Sequence, residues 1–412
     1  MKKRVVVTGL GIVAPNGIGV NEFAASTFGG KSGIDFITRF DIAKYSVKTA
    51  AEVKNFDPVE YMPIAVMRKT DRFAHLGLAA AKLALDDAKL SSENGALTQA
   101  IVIIGSGQGG NNFHEETIIE VVKHDDPKKA AASSVPRITP NAVSAYIALQ
   151  YGIKGVNQVI STACSSSAQA IGEACNKIRQ GVANIAVTGG VEAPISRVTF
   201  AAYQQMMVLS PDNNNPTKAS RPFDLTREGF VLGEGAGILI LENAEHAQAR
   251  GAHIYAEIAG FGSNCGAYHM VTPNPSGEDA AAAMKLALDD AGLEPMDVDY
   301  INAHGTSTKW NDLAETKAIK LVFNEYAKKI PISSIKSMIG HTIGAAGAIE
   351  AIICCLSIEK GFIPPTINLN TPDPDCDLDY VPNQGRAAKL EVVVSNSFGF
   401  GSNNAVLVFR RD

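Results

Sequence analysis

No uncharged apolar stretch in this 412-residue chain reaches the ~18 residues that a membrane-spanning helix needs, so none is expected to cross a bilayer. The longest approach, Ile343 to Ile358, contains Glu350 and is apolar on every side, which describes a helix enclosed by protein. A basic excess is also missing. With 37 Lys and Arg against 42 Asp and Glu, the net charge of −5 argues against nonspecific nucleic-acid binding, which needs cations to displace counterions from phosphates. The six cysteines (Cys164, Cys175, Cys265, Cys354, Cys355, Cys376) contain no C-x-x-C pair and no His-rich neighbour, so neither a zinc site nor a disulfide framework is expected. A reducing cytoplasm is the expected compartment. The charged start, Met1 to Arg4, followed by the apolar Val5 to Ala14 superficially suggests a secretory leader, but Thr8, Gly9 and Gly11 break the run and a buried β-strand fits better. No Walker sequence, H-E-x-x-H or Pro/Ser-rich linker occurs.

What the chain does have is a thiol in a telling place. Cys164 ends the apolar run Gln158 to Ala163 and opens Ser165 to Gly172, a small-residue stretch whose apolar positions then recur at helical spacing. That is a strand-to-helix corner. Free backbone N–H groups and the helix dipole there favour a thiolate by about 0.3–1 kcal/mol, which makes Cys164 a candidate nucleophile. Alone it reads equally as a packed small hydrophobe. Two histidines alter the balance: His304 follows the strand-like Val298 to Ala303, and His341 follows Ile332 to Gly340, each with a glycine beside it. Thiol plus two imidazoles is a set suited to making carbon–sulfur and carbon–carbon bonds.

The chain also repeats itself. Lys82 to Ala88 recurs residue for residue as Lys285 to Ala291, each copy preceded by a glycine-rich β segment and followed by another strand. Next in each half come a strand, a turn and a buried helix, with Cys164 on the first such turn and His341 on the second. Strands alternating with helices predict an α/β fold with a parallel sheet covered on both faces. The expectation is a layered αβαβα fold of two duplicated halves, residues 1–252 and 253–412, behaving as one rigid body with Cys164, His304 and His341 gathered where strand ends meet.

Gly105 to Gly110 reads G-S-G-Q-G-G after a strand and formally satisfies the dinucleotide fingerprint. The rest of a Rossmann site is missing. Glu115 to Lys123 reads as helix and His124 to Lys129 as loop, where a second strand ending in an acidic residue is required.

Taken in order, Thr162 to Ser166, Asn302 to Thr308, Lys336 to His341 and Asn396 to Gly401 make the chain resemble a β-ketoacyl-[acyl carrier protein] synthase of the elongating type II class. The likeness runs over nearly the whole chain, including Arg221 to Asp224 and Gly229 to Gly235. It implies the thiolase-like fold and a two-stage acyl transfer. Cys164 takes an acyl group from its carrier; carrier-bound malonyl then loses CO₂, and the resulting carbanion attacks the acyl-cysteine to give a 3-oxoacyl carrier thioester. By the same resemblance His304 and His341 stabilise the enolate, and the backbone N–H groups of Cys164 and Phe400 form an oxyanion hole. Lys336 orients the site with Glu350 as its acidic partner, Thr306 and Thr308 hold the phosphopantetheine arm, Phe398 lines the substrate site, and Phe400 acts as a gate between glycines.

No metal and no resident cofactor is implied, since phosphopantetheine arrives on the carrier. The carrier is acidic, so a basic docking face is expected: Arg68, Lys69 and Arg72, or a second group of Lys128, Lys129 and Arg137. A homodimer is implied, with a heterodimer as the alternative. Gln108 stands where an apolar or very small residue is usual at the acyl-pocket floor, and Ser402 replaces a glycine of the gate. A polar amide against a saturated alkyl tail is costly, so these two departures suggest short or unsaturated chains in a specialised polyketide or aryl-polyene pathway as the alternative to fatty acid elongation. A noncatalytic chain-length subunit is disfavoured by the retained Cys164.

Overall fold

Val5–Ala14, the first strand (β1), is buried at all ten positions, as a strand covered on both faces must be. The structure, a computed structural model, describes residues 3–412, so Met1 and Lys2 of the leader-like start lie outside it. After β1 the principal strands are β2 (Ile101–Gly105), β3 (Asn157–Ile160), β4 (Ile185–Glu192), β5 (Gly235–Asn243), β6 (Ala256–Cys265), β7 (Tyr300–Asn302), β8 (Ile332–Ser333), β9 (Val392–Gly399) and β10 (Asn403–Arg410).

Their order across the continuous sheet is β8-β7-β9-β10-β6-β1-β5-β4-β2-β3. Each half therefore reads third, second, fourth, fifth, first, and strand n of one half matches strand n + 5 of the other. The halves meet where β1 pairs β6 antiparallel at Val6–Glu257 and Val7–Ala256. The sheet is mixed rather than parallel. Pairs β2/β3, β2/β4, β7/β8 and β7/β9 are parallel, while β4/β5, β1/β5, β9/β10 and β6/β10 are antiparallel. A helix separates the parallel neighbours, whereas β9 and β10 are joined by a tight turn that can only reverse the chain.

The main helices are α1 (Arg72–Asp87), α2 (Asn111–His124), α3 (Ser166–Arg179), α4 (Glu278–Ala291), α5 (Lys309–Phe323) and α6 (Ala346–Lys360). Outer helix α1 packs on β1 and β5, and α4 packs on β6 and β10. The repeated heptapeptide lies on these two helices for a steric reason. A Cβ on Gly9 or Gly11 of β1 would collide with the carbonyls of Ala84 and Ala80, and on Gly260 or Gly262 of β6 with those of Ala287 and Ala283. Strand and helix backbones touch in both halves, which demands glycine on one side and alanine on the other.

Helices α3 and α6 pack on each other and touch strands of both halves, forming the central layer. Residues Ala346 to Ile358 of α6 are all buried, including Glu350, so the apolar run predicted to be enclosed is enclosed. Among the described residues no helix is long and apolar enough to cross a membrane. The layered α/β architecture of duplicated halves is the fold expected.

Candidate active site

The turn between β3 and α3 presents Cys164. Serine hydroxyls tie it: Ser166 Oγ accepts from Thr162 N (2.9 Å) and donates to Ala163 O (2.6 Å), and Ser165 Oγ donates to Thr162 O (2.9 Å). Ala163 sits at φ 53°, a left-handed conformation that costs a residue with a side chain about 1–2 kcal/mol. The second half repeats the device. Ile343 has φ 47°, a short 3₁₀ turn spans Ile343–Ala345, and α6 begins at Ala346. Gly344 thus holds the place that Cys164 holds in the first half, and His341 lies just ahead of that turn.

The two turns face each other. His341 Nε2 lies 3.1 Å from Cys164 Sγ, and Sγ and one nitrogen of each of His304 and His341 fall within 4.8 Å of one another. All three side chains are buried and line one cavity of about 790 Å³, a size suited to a chain-bearing substrate.

Hydrogen bonds fix what each ring can do. Ile343 N donates to His341 Nδ1 at 3.3 Å, and Lys336 Nζ stands 3.4 Å from His304 Nδ1. Both Nδ1 atoms are therefore acceptors, and in neutral imidazole the proton then sits on Nε2. Burial, with the Lys336 charge, holds both histidines well below the ordinary histidine range, so they are neutral near pH 7. The site offers two neutral N–H donors. This tautomer leaves no lone pair on either Nε2, and with the Lys336 ammonium beside His304 the set does not fit a cation.

Lys336, 1 % exposed, forms an ion pair with Glu350 of α6. Burial pushes the Glu350 carboxyl up to about 7 against the pull of Lys336. The end of β7 is held by Glu315 of α5, which accepts from His304 N and Gly305 N (both 2.8 Å) and from Asn396 Nδ2 of β9 (3.0 Å). Glu315 was not singled out from the sequence. Its signal was a carboxylate on the same helical face as Asn311 and Asp312, both also buried.

The helix start was expected to lower the Cys164 pKa, and burial outweighs that pull. Burial dominates and pushes the thiol up to about 12, although Lys336 and the backbone N–H groups of Phe400 and Cys164 itself pull it down. Both N–H groups lie near the sulfur. Gly399 lets the strand end come this close, since a Cβ there would lie 2.6 Å from Thr162 O.

Residues 2–247 match the N-terminal domain and residues 255–370 the C-terminal domain of β-ketoacyl synthases. The chain belongs to the β-ketoacyl synthase family. This synthase is 43 % identical over 410 residues to a 3-oxoacyl-[acyl-carrier-protein] synthase 2 of Synechocystis, covering 100 % of this chain and 98 % of the relative. It is 44 % identical over 409 residues to the protein of the same name from Staphylococcus aureus, covering 99 % and 98 %. Among solved structures it superposes with TM-score 0.93 at 38 % identity on the ishigamide ketosynthase/chain length factor. It superposes with TM-score 0.92, again at 38 % identity, on a type II polyketide ketosynthase in complex with its acyl-carrier protein. Both chains are covered in full in each case.

Other expected residues of the synthase fall into place or out of it. Thr306 and Thr308 line the cavity with their hydroxyls 2.9 Å apart, and Phe398 lines it with its ring 5.8 Å from that of His304. Phe400 lines it too, on a short turn with Gly401 and Ser402. Ser402 Oγ accepts from Tyr268 N (3.2 Å) and His269 N (3.3 Å) and donates to His269 O (3.1 Å), which ties the gate turn to a neighbouring loop.

Gln108 does not line the cavity. Its Nε2 donates to the Tyr203 hydroxyl (3.0 Å), its Oε1 accepts from Asn111 Nδ2 (2.7 Å), and Tyr203 is the residue that faces the cavity. The amide cost expected against an alkyl tail is therefore already met by hydrogen bonds. Arg72 is likewise not a free docking cation. It grips buried Glu234 through Nε (2.8 Å) and Nη2 (2.6 Å) and donates to Val53 O (3.1 Å). Arg137 lies over the Phe113 ring at 3.6 Å and donates to Thr70 O. Arg68, Lys69, Lys128 and Lys129 are exposed.

Proposed function

We propose that this synthase lengthens carrier-bound acyl chains by decarboxylative condensation with malonyl-[acyl carrier protein], the step that elongates fatty acids. The observation that carries the reading is the meeting of Cys164 Sγ with two neutral Nε2–H donors in one cavity. In the first stage the thiol displaces the carrier's pantetheine sulfur. One thioester forms as another breaks, and the thiol proton leaves on the departing carrier, so no resident base is consumed. The N–H groups of Cys164 and Phe400 hold the tetrahedral oxyanion. In the second stage His304 and His341 donate to the malonyl thioester carbonyl, so charge left by departing CO₂ collects on an oxygen already facing two donors. The enolate carbon attacks the acyl-cysteine carbonyl, and the Cys164 sulfur leaves and regains a proton from solvent. Thr306 and Thr308 hold the pantetheine arm, and no resident cofactor or metal takes part.

With Arg72 engaged internally, carrier docking falls to the exposed Arg68 and Lys69. The double replacement Arg68→Glu, Lys69→Glu is expected to lower carrier-dependent kcat/KM by about 10-fold or more while changing turnover of a small thioester mimic less than about 2-fold. Equal losses on both substrates remove the assignment. The protein works in the cytoplasm as a homodimer.

A second reading has a specific observation in its favour: the superposition, at 38 % identity, on the ishigamide ketosynthase/chain length factor and on a type II polyketide ketosynthase. It makes the protein a ketosynthase of a specialised type II polyketide or aryl-polyene pathway, paired with a chain-length subunit. Profiling with acyl carriers separates the two. Efficient extension of saturated dodecanoyl to hexadecanoyl chains is the result expected for elongation, and extension confined to short or polyenoyl chains selects the other pathway.

A further inference from the structure

The glycine motif Gly105 to Gly110 binds an anion after all, and that anion is part of the protein. Glu192, the last residue of β4, is completely buried and accepts from Gly107 N (2.6 Å), Gln108 N (3.1 Å), Ser106 Oγ (3.3 Å) and Gly344 N (3.2 Å). No ion pair to it occurs among the described residues. Four donors converge on its two oxygens, an arrangement that favours the carboxylate form. Burial pushes it up to about 7, with the backbone N–H groups pulling the other way. The approach is as close as backbone allows. A Cβ on Gly344 would collide with Glu192 Oε2, and one on Gly107 would lie 2.8 Å from it.

Gly344 lies on the turn that follows His341, and Ile343 N of that turn is the donor that sets the His341 tautomer. We propose that Glu192 is a positioning residue, clamping the glycine loop after β2 to the turn after His341 and so holding Nε2 aimed at the Cys164 sulfur. It touches no substrate. Its part is to keep two turns from opposite halves of the chain in register, while the oxyanion donors and Lys336 are held by other contacts.

Alkylation of Cys164 by iodoacetamide tests this without any acyl substrate, so its failure is separable from failure of the condensing reading. The charge of Glu192 by itself opposes thiolate formation at Cys164. If charge were its whole effect, Glu192→Gln would speed alkylation. If it positions His341, the misdirected amide hydrogens open the clamp and alkylation at pH 8 slows by about 5-fold or more, with kcat for condensation down about 10-fold and KM for the malonyl carrier within about 3-fold. Glu192→Asp should recover part of both losses. Should Glu192→Gln not fold, Ser106→Ala, which removes one of the four contacts, decides by the same readout, with slowing of about 2-fold expected. Alkylation that is unchanged or faster in the variant overturns the proposal.

Discussion

Cys164→Ala is expected to fold normally and to lose condensation by a factor on the order of 10⁴–10⁶, as removal of a sole nucleophile does. The thiol is 5 % exposed and its side chain is replaced by a methyl of smaller volume, so the turn held by Ser165 and Ser166 keeps its hydrogen bonds. The two Nε2–H donors are untouched. Slow release of CO₂ from malonyl carrier is therefore expected to persist in the variant while carbon–carbon bond formation stops. Separate assays of CO₂ and 3-oxoacyl product check this, and product formation at more than about a hundredth of the parent rate would contradict the assigned nucleophile.

Lys336→Met is expected to cost about 10²-fold in kcat while stability changes in a pH-dependent way. Lys336 sets the His304 tautomer from 3.4 Å, so its loss frees the ring to put its lone pair, instead of its proton, toward the malonyl carbonyl. Removing one member of a buried ion pair usually costs 3–5 kcal/mol or about that, because a bare charge is left behind. Here the remaining partner can shed its charge. Glu350 in the folded protein is already raised to about 7 by burial, and without the ammonium it moves further up and takes a proton. A raised carboxyl means that the folded state binds a proton the unfolded chain has lost, so stability falls as pH rises from the ordinary carboxylate range through the folded value. The Tm gap between parent and Lys336→Met should thus be small at pH 6 and widen toward pH 9. A gap that is constant across this range would contradict the buried pairing.

Much of this site was legible because its chemistry is concentrated in short runs. Cys164 on a strand-to-helix corner, the two histidines each beside a glycine, and the duplicated Lys82 to Ala88 all stand out in one dimension. The duplication proved to be a packing requirement, with alanines of α1 and α4 meeting glycines of β1 and β6. What could not be read depended on partners far away in sequence. Arg72 looked like a surface cation beside Arg68 and Lys69 until Glu234, 162 residues on, claimed it. Gln108 looked like an unpaired amide until Tyr203 and Asn111 satisfied it. Glu315 and Glu192 hold the active-site turns through backbone N–H groups, and only Glu315, on one helical face with Asn311 and Asp312, left any trace in the residue pattern. The thiol's ionisation was misjudged because helix-end donors are visible in sequence and burial is not. Strand direction failed for a related reason: the strand–helix alternation pointed to a parallel sheet, while the strands that close each half, β4 with β5 and β9 with β10, pair antiparallel.

The central claim is that one sulfur carries the growing chain between two carriers. Intact mass spectrometry of the protein, first with an acyl carrier thioester and then after a chase with malonyl carrier, tests it most directly. The account predicts a single acyl adduct that maps to Cys164, then its disappearance with release of CO₂ and of a carrier product two carbons longer. An adduct on another residue, or one that the malonyl carrier leaves in place, contradicts it.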